Sequence, residues 1–404
     1  MKATRRLTLG ISVLICSLAT SCLQADDYSK QLQEVDALGE LTKPPEVMNA
    51  EGFEATGSVK AIYFDALDWK DSPTKVFAWL GLPKDTSKPV PGVVLVHGGG
   101  GSAFKNWVEL WNKRGFAAIS IAVEGQTDVK TGKSWNRHQW GGPSRSGIYG
   151  DSDESLKDQW MYHAVADTIL ANSLLRSLPV VDPDKVGVMG ISWGGVITST
   201  VMGIDDRFAF AIPVYGCGNL STAGNQYGRA LGKNDLYKEV WDPMIRLSDA
   251  RMPALWFSWP GDQHFPLDLQ AGCYEETKGD FMVSLIPGMR HGHGPGWQRP
   301  DSYAFAEGVV NDGAPWCQQT SSSNDGWEVT VEFRSGKPLE SPVLISTTDR
   351  GITGSREWQK SAAVLKQQGE RWVATATLPE KTTAWFLNVK SGDLTVSSNY
   401  QELK

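Results

Sequence analysis

Apolar residues along this chain come in short runs separated by amphipathic or polar stretches. Val59 to Leu67 and Lys75 to Leu82 read as two strands, with a turn at Asp71-Ser72-Pro73 between them. Gly92 to Val96, Ala117 to Val123, Lys185 to Met189, Phe208 to Tyr215, Met252 to Trp259 and Phe281 to Ile286 follow. Each is rich in Val, Ile or Phe and apolar on both faces, as strands covered by helices on both sides should be. Helical stretches lie between them at Phe104 to Lys113, Leu156 to Ser177, Gly194 to Met202 and Leu267 to Thr277. Strands alternating with helices predict an α/β fold with a mainly parallel, doubly wound sheet, whose ligands sit beyond the carboxyl ends of the strands.

Past Ala314 the period changes to two. Residues 317–326 read as a polar linker, and WEVTVEF, SPVLISTT, RWVATATL, AWFLNVK and LTVSSNY read as five short strands, a small β-sandwich-like domain over 327–404. Residues 26–316 then form one larger domain. Within it, 124–159 is a long polar insertion after the fourth strand, of the kind that serves as a lid or binding loop.

Lys2, Arg5 and Arg6 precede the apolar run Leu7 to Leu18 and a stretch of small residues, which reads as an export signal, residues 1–25, cleaved after Ala25. Lipidation of Cys22 is the competing exit. The expected location is secreted or periplasmic, or the outer membrane if Cys22 carries a lipid. A formal net charge of -7 over 404 residues, with no long basic run, argues against nucleic acid and anionic lipid surfaces as partners. Three cysteines follow Ala25, Cys217, Cys273 and Cys317; an oxidising compartment permits one disulfide among them and leaves one thiol.

Chemistry concentrates where strands end. Gly190-Ile191-Ser192-Trp193-Gly194 places a serine between glycines at a strand-to-helix junction, the context of a nucleophile elbow. The sharp turn needs small neighbours, and the helix N-terminus favours negative charge on the hydroxyl. A serine nucleophile needs a base, and the base an orienting acid, in the order Ser, acid, His. Gly261-Asp262-Gln263 follows one downstream strand and Met289-Arg290-His291-Gly292-His293 the next, so Asp262 is expected as acid and His291 as base. His293 competes as base, and Asp268 is a rival acid. His264 is expected in the pocket wall.

The loop His97-Gly98-Gly99-Gly100-Gly101 can turn backbone N–H groups towards a developing oxyanion. Gly99 or Gly100, with the N–H of Trp193, would form that hole, and His97 would hold the loop. No lysine stands where a phosphate-binding loop needs one, and no metal-ligand spacing occurs, so neither metal nor cofactor is expected. Trp193, Tyr215, Trp259 and Trp297, which flank the catalytic elements, and Trp140 in the insertion are candidate aromatic faces for a sugar or aryl group, with His264 and His293 as further substrate-binding candidates, although most of the seventeen tryptophans must be core. Arg137 and Arg145 could hold a carboxylate, and Glu124 and Glu154 a peptide amino terminus.

HGGGGSAF, KNWVELWNKRGFAAISI, VDPDKVGVMGISWGG, IPVYGCG, PALWFSWPGDQHFP and MRHGHGPGW together resemble secreted bacterial α/β-hydrolases of the acetyl xylan esterase and prolyl-oligopeptidase-like group. The resemblance spans about Gly57 to Ala314. It implies an α/β-hydrolase fold, Ser192, Asp262 and His291 as a triad, and an ester substrate, most simply an acetylated polysaccharide. An exported dipeptidyl-peptidase-like enzyme is the alternative, weakened because no amino-terminal β-propeller precedes Gly92. A glycan-binding protein on a hydrolase scaffold is the alternative outside catalysis.

Overall fold

The computed structural model describes residues 28–403; the export signal and Cys22 lie outside them. Residues 28–36 are helical (α1). The strands that follow are β1 (Val47–Asn49), β2 (Lys60–Asp65), β3 (Lys75–Gly81), β4 (Val90–Val96), β5 (Ala117–Ile121), β6 (Gln126–Thr131), β7 (Ser134–Arg137), β8 (Val181–Ile191), β9 (Ala211–Val214), β10 (Ala254–Ser258) and β11 (Phe281–Leu285). Helices α2 (Lys105–Lys113), α3 (Trp160–Ser177), α4 (Trp193–Val201), α5 (Gln226–Leu231), α6 (Met244–Leu247), α7 (Leu267–Glu276), α8 (His293–Gln298) and α9 (Pro300–Asp312) alternate with them. The strands and helices expected up to residue 316 are present, with β8 starting earlier than its apolar run.

In the central sheet β5, β4, β8, β9, β10 and β11 lie side by side and parallel, and β1, β2 and β3 add an antiparallel edge. The mainly parallel α/β sheet expected from the alternating pattern, and the α/β-hydrolase fold that the resemblance implies, are therefore the ones observed. Successive chain crossings leave β4 on opposite sides, to β5 and to β8, so a crevice opens between the ends of β4 and β8. Register places Val96 opposite Gly190, which brings the two following loops together. Both strands are apolar on both faces because α2, α3 and α4 cover them; all of α4 is buried.

The C-terminal region holds β12 (Cys317–Asp325), β13 (Glu328–Ser335), β14 (Glu340–Thr347), β15 (Gln359–Ala362), β16 (Val364–Gln368), β17 (Arg371–Thr377), β18 (Ala384–Ser391), β19 (Leu394–Ser397) and β20 (Gln401–Glu402). Strands β12, β13, β17 and β16 form a separate antiparallel sheet. The other layer differs from expectation. β19 pairs antiparallel with β11, and β18, β14 and β15 follow it, so this layer continues the central sheet. The expected linker is strand β12, paired along its length with β13. Its polar sequence hid it because it is an exposed edge strand, stabilised by backbone pairing and not by burial. Ser284 Oγ donates to Thr395 O at 2.8 Å and Asn388 Nδ2 to Leu285 O at 2.9 Å, tying the two regions at the seam.

Among the described residues no helix is long and apolar enough to cross a membrane. Cys217, Cys273 and Cys317 are buried and unpaired.

Candidate active site

β8 ends at Ile191, and Ser192 adopts φ 60° and ψ -117°, a conformation that costs a non-glycine residue on the order of 1–3 kcal/mol. The surroundings hold it there. The N–H of Ser192 donates to Val214 O at 2.8 Å on β9, and its carbonyl receives the N–H of Val196 at 3.0 Å in α4. The glycines either side are required by space: a Cβ on Gly190 would meet Gly194 O at 2.0 Å, and one on Gly194 would meet Val96 O at 2.1 Å.

His291, on the loop after β11, reaches Ser192 Oγ with Nε2 at 3.0 Å. Its Nδ1 lies 2.8 Å from Asp262 Oδ2 on the loop after β10. A carboxylate can only accept, so Nδ1 carries the hydrogen and Nε2 is free to accept from the serine hydroxyl. The other Asp262 oxygen accepts the N–H groups of His264 at 2.8 Å and Phe265 at 3.0 Å, which fixes the buried carboxylate in its turn. Tyr215 lies under His291 with ring centroids 4.5 Å apart and donates its hydroxyl to Arg290 O at 2.8 Å.

The glycine-rich loop after β4 stands against Ser192. Gly98 N–H donates to His293 Nε2 at 2.9 Å, and Gly101 N–H donates to Gly98 O at 3.0 Å. Among the described residues no backbone acceptor is found for the N–H groups of Gly99, Gly100 and Trp193. These are the donors a developing oxyanion would use. His97 sits behind the loop: Nδ1–H donates to Gly98 O at 2.8 Å, while Nε2 accepts the N–H of Val123 at 3.2 Å. Gln126 Nε2 ties the loop further, to Gly101 O at 3.0 Å.

Several sequence candidates are engaged by other parts of the fold. His293 does not reach Ser192 and spends its acceptor on Gly98; its proximity in sequence to His291 concealed that α8 begins between them. Trp140 lies beside Tyr63 on β2, with β3, β5 and β4 between that strand and β8, because the insertion runs out to the sheet edge. Tyr215 is wholly buried, so it supports His291 and offers no face to a sugar. Trp259 wraps the acid turn, where a Cβ on Gly261 would meet its ring at 2.3 Å. Trp297 stacks on Trp107 of α2 at 5.2 Å. His264, expected in the pocket wall, is exposed 4.9 Å from the His291 ring, with Nδ1 2.8 Å from Gln226 Nε2. Asp268 lies near Arg356 and Glu402, away from His291, since α7 turns it towards the C-terminal strands.

The charged groups considered for a peptide substrate are otherwise engaged. Arg137 donates to Glu124 O at 2.6 Å and to the carbonyls of Gly141 and Gly142. Glu154 pairs with Lys70 at 2.9 Å, and Glu124 with Arg145 at 3.6 Å. Sequence reasoning missed what the insertion does here. The Arg145 guanidinium lies 5.0 Å over the Trp193 ring, Tyr149 packs edge-on against that ring at 5.7 Å, and Trp135 Nε1 donates to Gly100 O at 2.8 Å. The insertion thus buttresses the elbow and the glycine loop. Its length and aromatic content signalled a role, but its partners are set by packing. Among the described residues no group of three or more His, Cys, Asp or Glu is arranged to hold a metal ion.

Burial pushes His293 down to about 4 from its ordinary 6.5, and His97 down to about 3. Both act as neutral hydrogen-bond partners. Because the folded value of His293 lies below the unfolded one, the unfolded chain takes up the proton first as pH falls. The stability that neutral His293 contributes is full above pH 6.5 and is lost as pH falls towards 4. His293→Gln, whose amide oxygen can accept the Gly98 N–H without titrating, should show a shallower fall in urea stability over that window, by about 1.4 kcal/mol per unit of displaced pKa. Parallel pH curves for variant and wild type would overturn the assignment.

Residues 27–227 match the family model described as acetyl xylan esterase (AXE1). That segment contains Ser192 and the glycine loop and stops short of Asp262 and His291. Among solved structures, the acetyl xylan esterase from Paenibacillus sp. R4 aligns with a TM-score of 0.52 at 21% identity, over 66% of this chain and 90% of that one. Acetyl xylan esterase 1 from Thermoanaerobacterium sp. JW/SL YS485 aligns with a TM-score of 0.53 at 17% identity, over 66% and 89%. Similarity at these identities speaks to the fold. A comparison with curated proteins finds no match.

Proposed function

From the match of residues 27–227 to the acetyl xylan esterase family model we propose that this chain is an exported serine esterase removing acyl groups, chiefly acetyl, from a carbohydrate. The observation that carries the reading is His291 standing between Ser192 Oγ at 3.0 Å and Asp262 Oδ2 at 2.8 Å, next to the backbone N–H groups of Gly99, Gly100 and Trp193, which have no backbone acceptor among the described residues. His291 Nε2 takes the proton of Ser192 as Oγ attacks the ester carbonyl, and Asp262 holds the ring in the tautomer that allows it. The carbonyl oxygen becomes negative beside the N–H groups of Trp193 and Gly99 or Gly100, at the amino end of α4, where the helix dipole adds to the stabilisation. The tetrahedral species collapses as His291 returns the proton to the departing alcohol. Water, deprotonated by the same imidazole, then releases the acid and restores the serine. No cofactor enters the cycle. Export is supported by the Lys2, Arg5 and Arg6 start and the apolar run that follows.

The test is hydrolysis of p-nitrophenyl acetate, p-nitrophenyl butyrate, an acetylated xylan and a dipeptidyl anilide, with a fluorophosphonate probe to mark the nucleophile. Acetate release from the xylan, faster turnover of acetate than butyrate, no anilide cleavage and labelling at Ser192 are expected. Preference for the anilide would move the protein to the peptidases. Failure of the probe to label, together with inertness on all four substrates, would leave the glycan-binding scaffold as the reading.

A further inference from the structure

The acid turn does not stand by itself. Asp262 depends on the path of residues 262–266, because its Oδ1 is held by the N–H groups of His264 and Phe265. One side of that turn is gripped from within the hydrolase region: Asn225 Nδ2 donates to Gln263 O at 2.8 Å and to His264 O at 2.9 Å. The other side is gripped by the C-terminal strands. Between β14 and β15 the chain crosses back over α7 and packs Ile352-Thr353-Gly354-Ser355 against the turn. Thr353 is fully buried, and its Oγ1 accepts the N–H of Leu267, the first residue of α7, at 2.7 Å across 86 residues of chain. Gly354 packs directly on the catalytic acid's backbone: a Cβ there would meet Asp262 O at 2.0 Å and Gln263 N at 2.6 Å. Ile352 reaches Gly224, next to Asn225, so the two grips touch.

This segment is itself braced. Arg356 forms a two-pronged pair with Glu402 at 3.0 Å on each oxygen and donates to Tyr400 Oη at 3.1 Å, while its other contacts run to Gly351 O. Trp358 Nε1 donates to Thr353 O at 3.1 Å, and its ring lies 5.6 Å from Phe386 of β18. Since β18 and β14 belong to the same sheet as β10, the segment is anchored on the rigid frame that carries Asp262.

We propose that the C-terminal β region is part of the catalytic apparatus, with Thr353 and Gly354 as positioning residues that set the place of Asp262. The inference rests on the reading of Ser192, His291 and Asp262 as an esterase triad. A displacement of about 1 Å in a catalytic group can cost on the order of 10²-fold in rate. Moving this segment therefore acts on kcat and leaves the binding of a small ester nearly untouched.

The experiment compares kcat and KM on p-nitrophenyl acetate, together with thermal midpoints, for the full-length wild type, Thr353→Val, Thr353→Ser, Gly354→Ala, Val331→Ala and Ser192→Ala. Thr353→Val keeps the shape and removes the acceptor for Leu267 N–H; kcat should fall about 10-fold or more with KM within about twofold, and Thr353→Ser should restore most of it. Gly354→Ala, if it folds, should fall further. Val331 is buried in the separate sheet away from the turn, so Val331→Ala should lower the thermal midpoint and leave kcat unchanged at 25 °C. Wild-type kcat in Thr353→Val, or an equal loss in Val331→Ala, would overturn the proposal. Undiminished activity in Ser192→Ala would instead overturn the triad on which it rests.

Discussion

Ser192→Ala should lower kcat on an acetyl ester by about 10⁶-fold while leaving the fold intact. The side chain keeps its Cβ, so the residue remains in the φ 60° elbow under the same restraints from Val214 and α4. What disappears is the oxygen 3.0 Å from His291 Nε2, and with it the acyl-enzyme. The residual rate should still exceed that of water, because the N–H groups of Gly99, Gly100 and Trp193 can stabilise an oxyanion formed by direct attack. Stopped-flow release of p-nitrophenol gives the decisive signal: a rapid first turnover in wild type and none in the variant. A variant retaining a hundredth of the wild-type rate would show that Ser192 is not the nucleophile.

Asp262→Asn should cost about 10⁴-fold in kcat, nearly as much, although no atom of Asp262 touches the substrate. The new amide can keep its oxygen on the N–H groups of His264 and Phe265, so the turn is retained. Its nitrogen then faces His291 Nδ1 and donates to it, where the carboxylate accepted. That inverts the tautomer: the hydrogen moves to Nε2, and the imidazole can no longer take the proton of Ser192. KM should change little. A loss below about tenfold would mean that another group orients His291.

These two residues also show how far the sequence is readable. Ser192 announces itself because the elbow is a local device, in which an apolar run, glycines at fixed offsets and a helix start all lie within a dozen residues. Asp262 and His291 come from chain order and from their places after successive strands, since the parallel sheet brings every strand end to one edge. His293 is the instructive case. One histidine faces Ser192 and the other, two residues on, holds Gly98, and only the start of α8 at His293 separates the roles. The aromatic residues were harder. Tyr215, Trp259 and Trp297 lie near catalytic elements in sequence and Trp140 in the insertion, yet each is committed to packing or to the sheet edge, because a large ring is stabilised most where it is covered.

The alternation of apolar runs with helical stretches determined the α/β sheet by itself, since strands buried on both faces have to be apolar on both faces and must be joined by covering helices. The glycines around Ser192 likewise encode the elbow without help from distant residues. Tertiary structure alone decided that the insertion braces Trp193 and Gly100, that β14, β15, β18, β19 and β20 extend the central sheet, and that Thr353 and Gly354 press on the acid turn. Such contacts join segments many residues apart, and their energy comes from complementary shape and paired backbone groups. A linear pattern of apolar and polar residues carries no record of which surface each will meet.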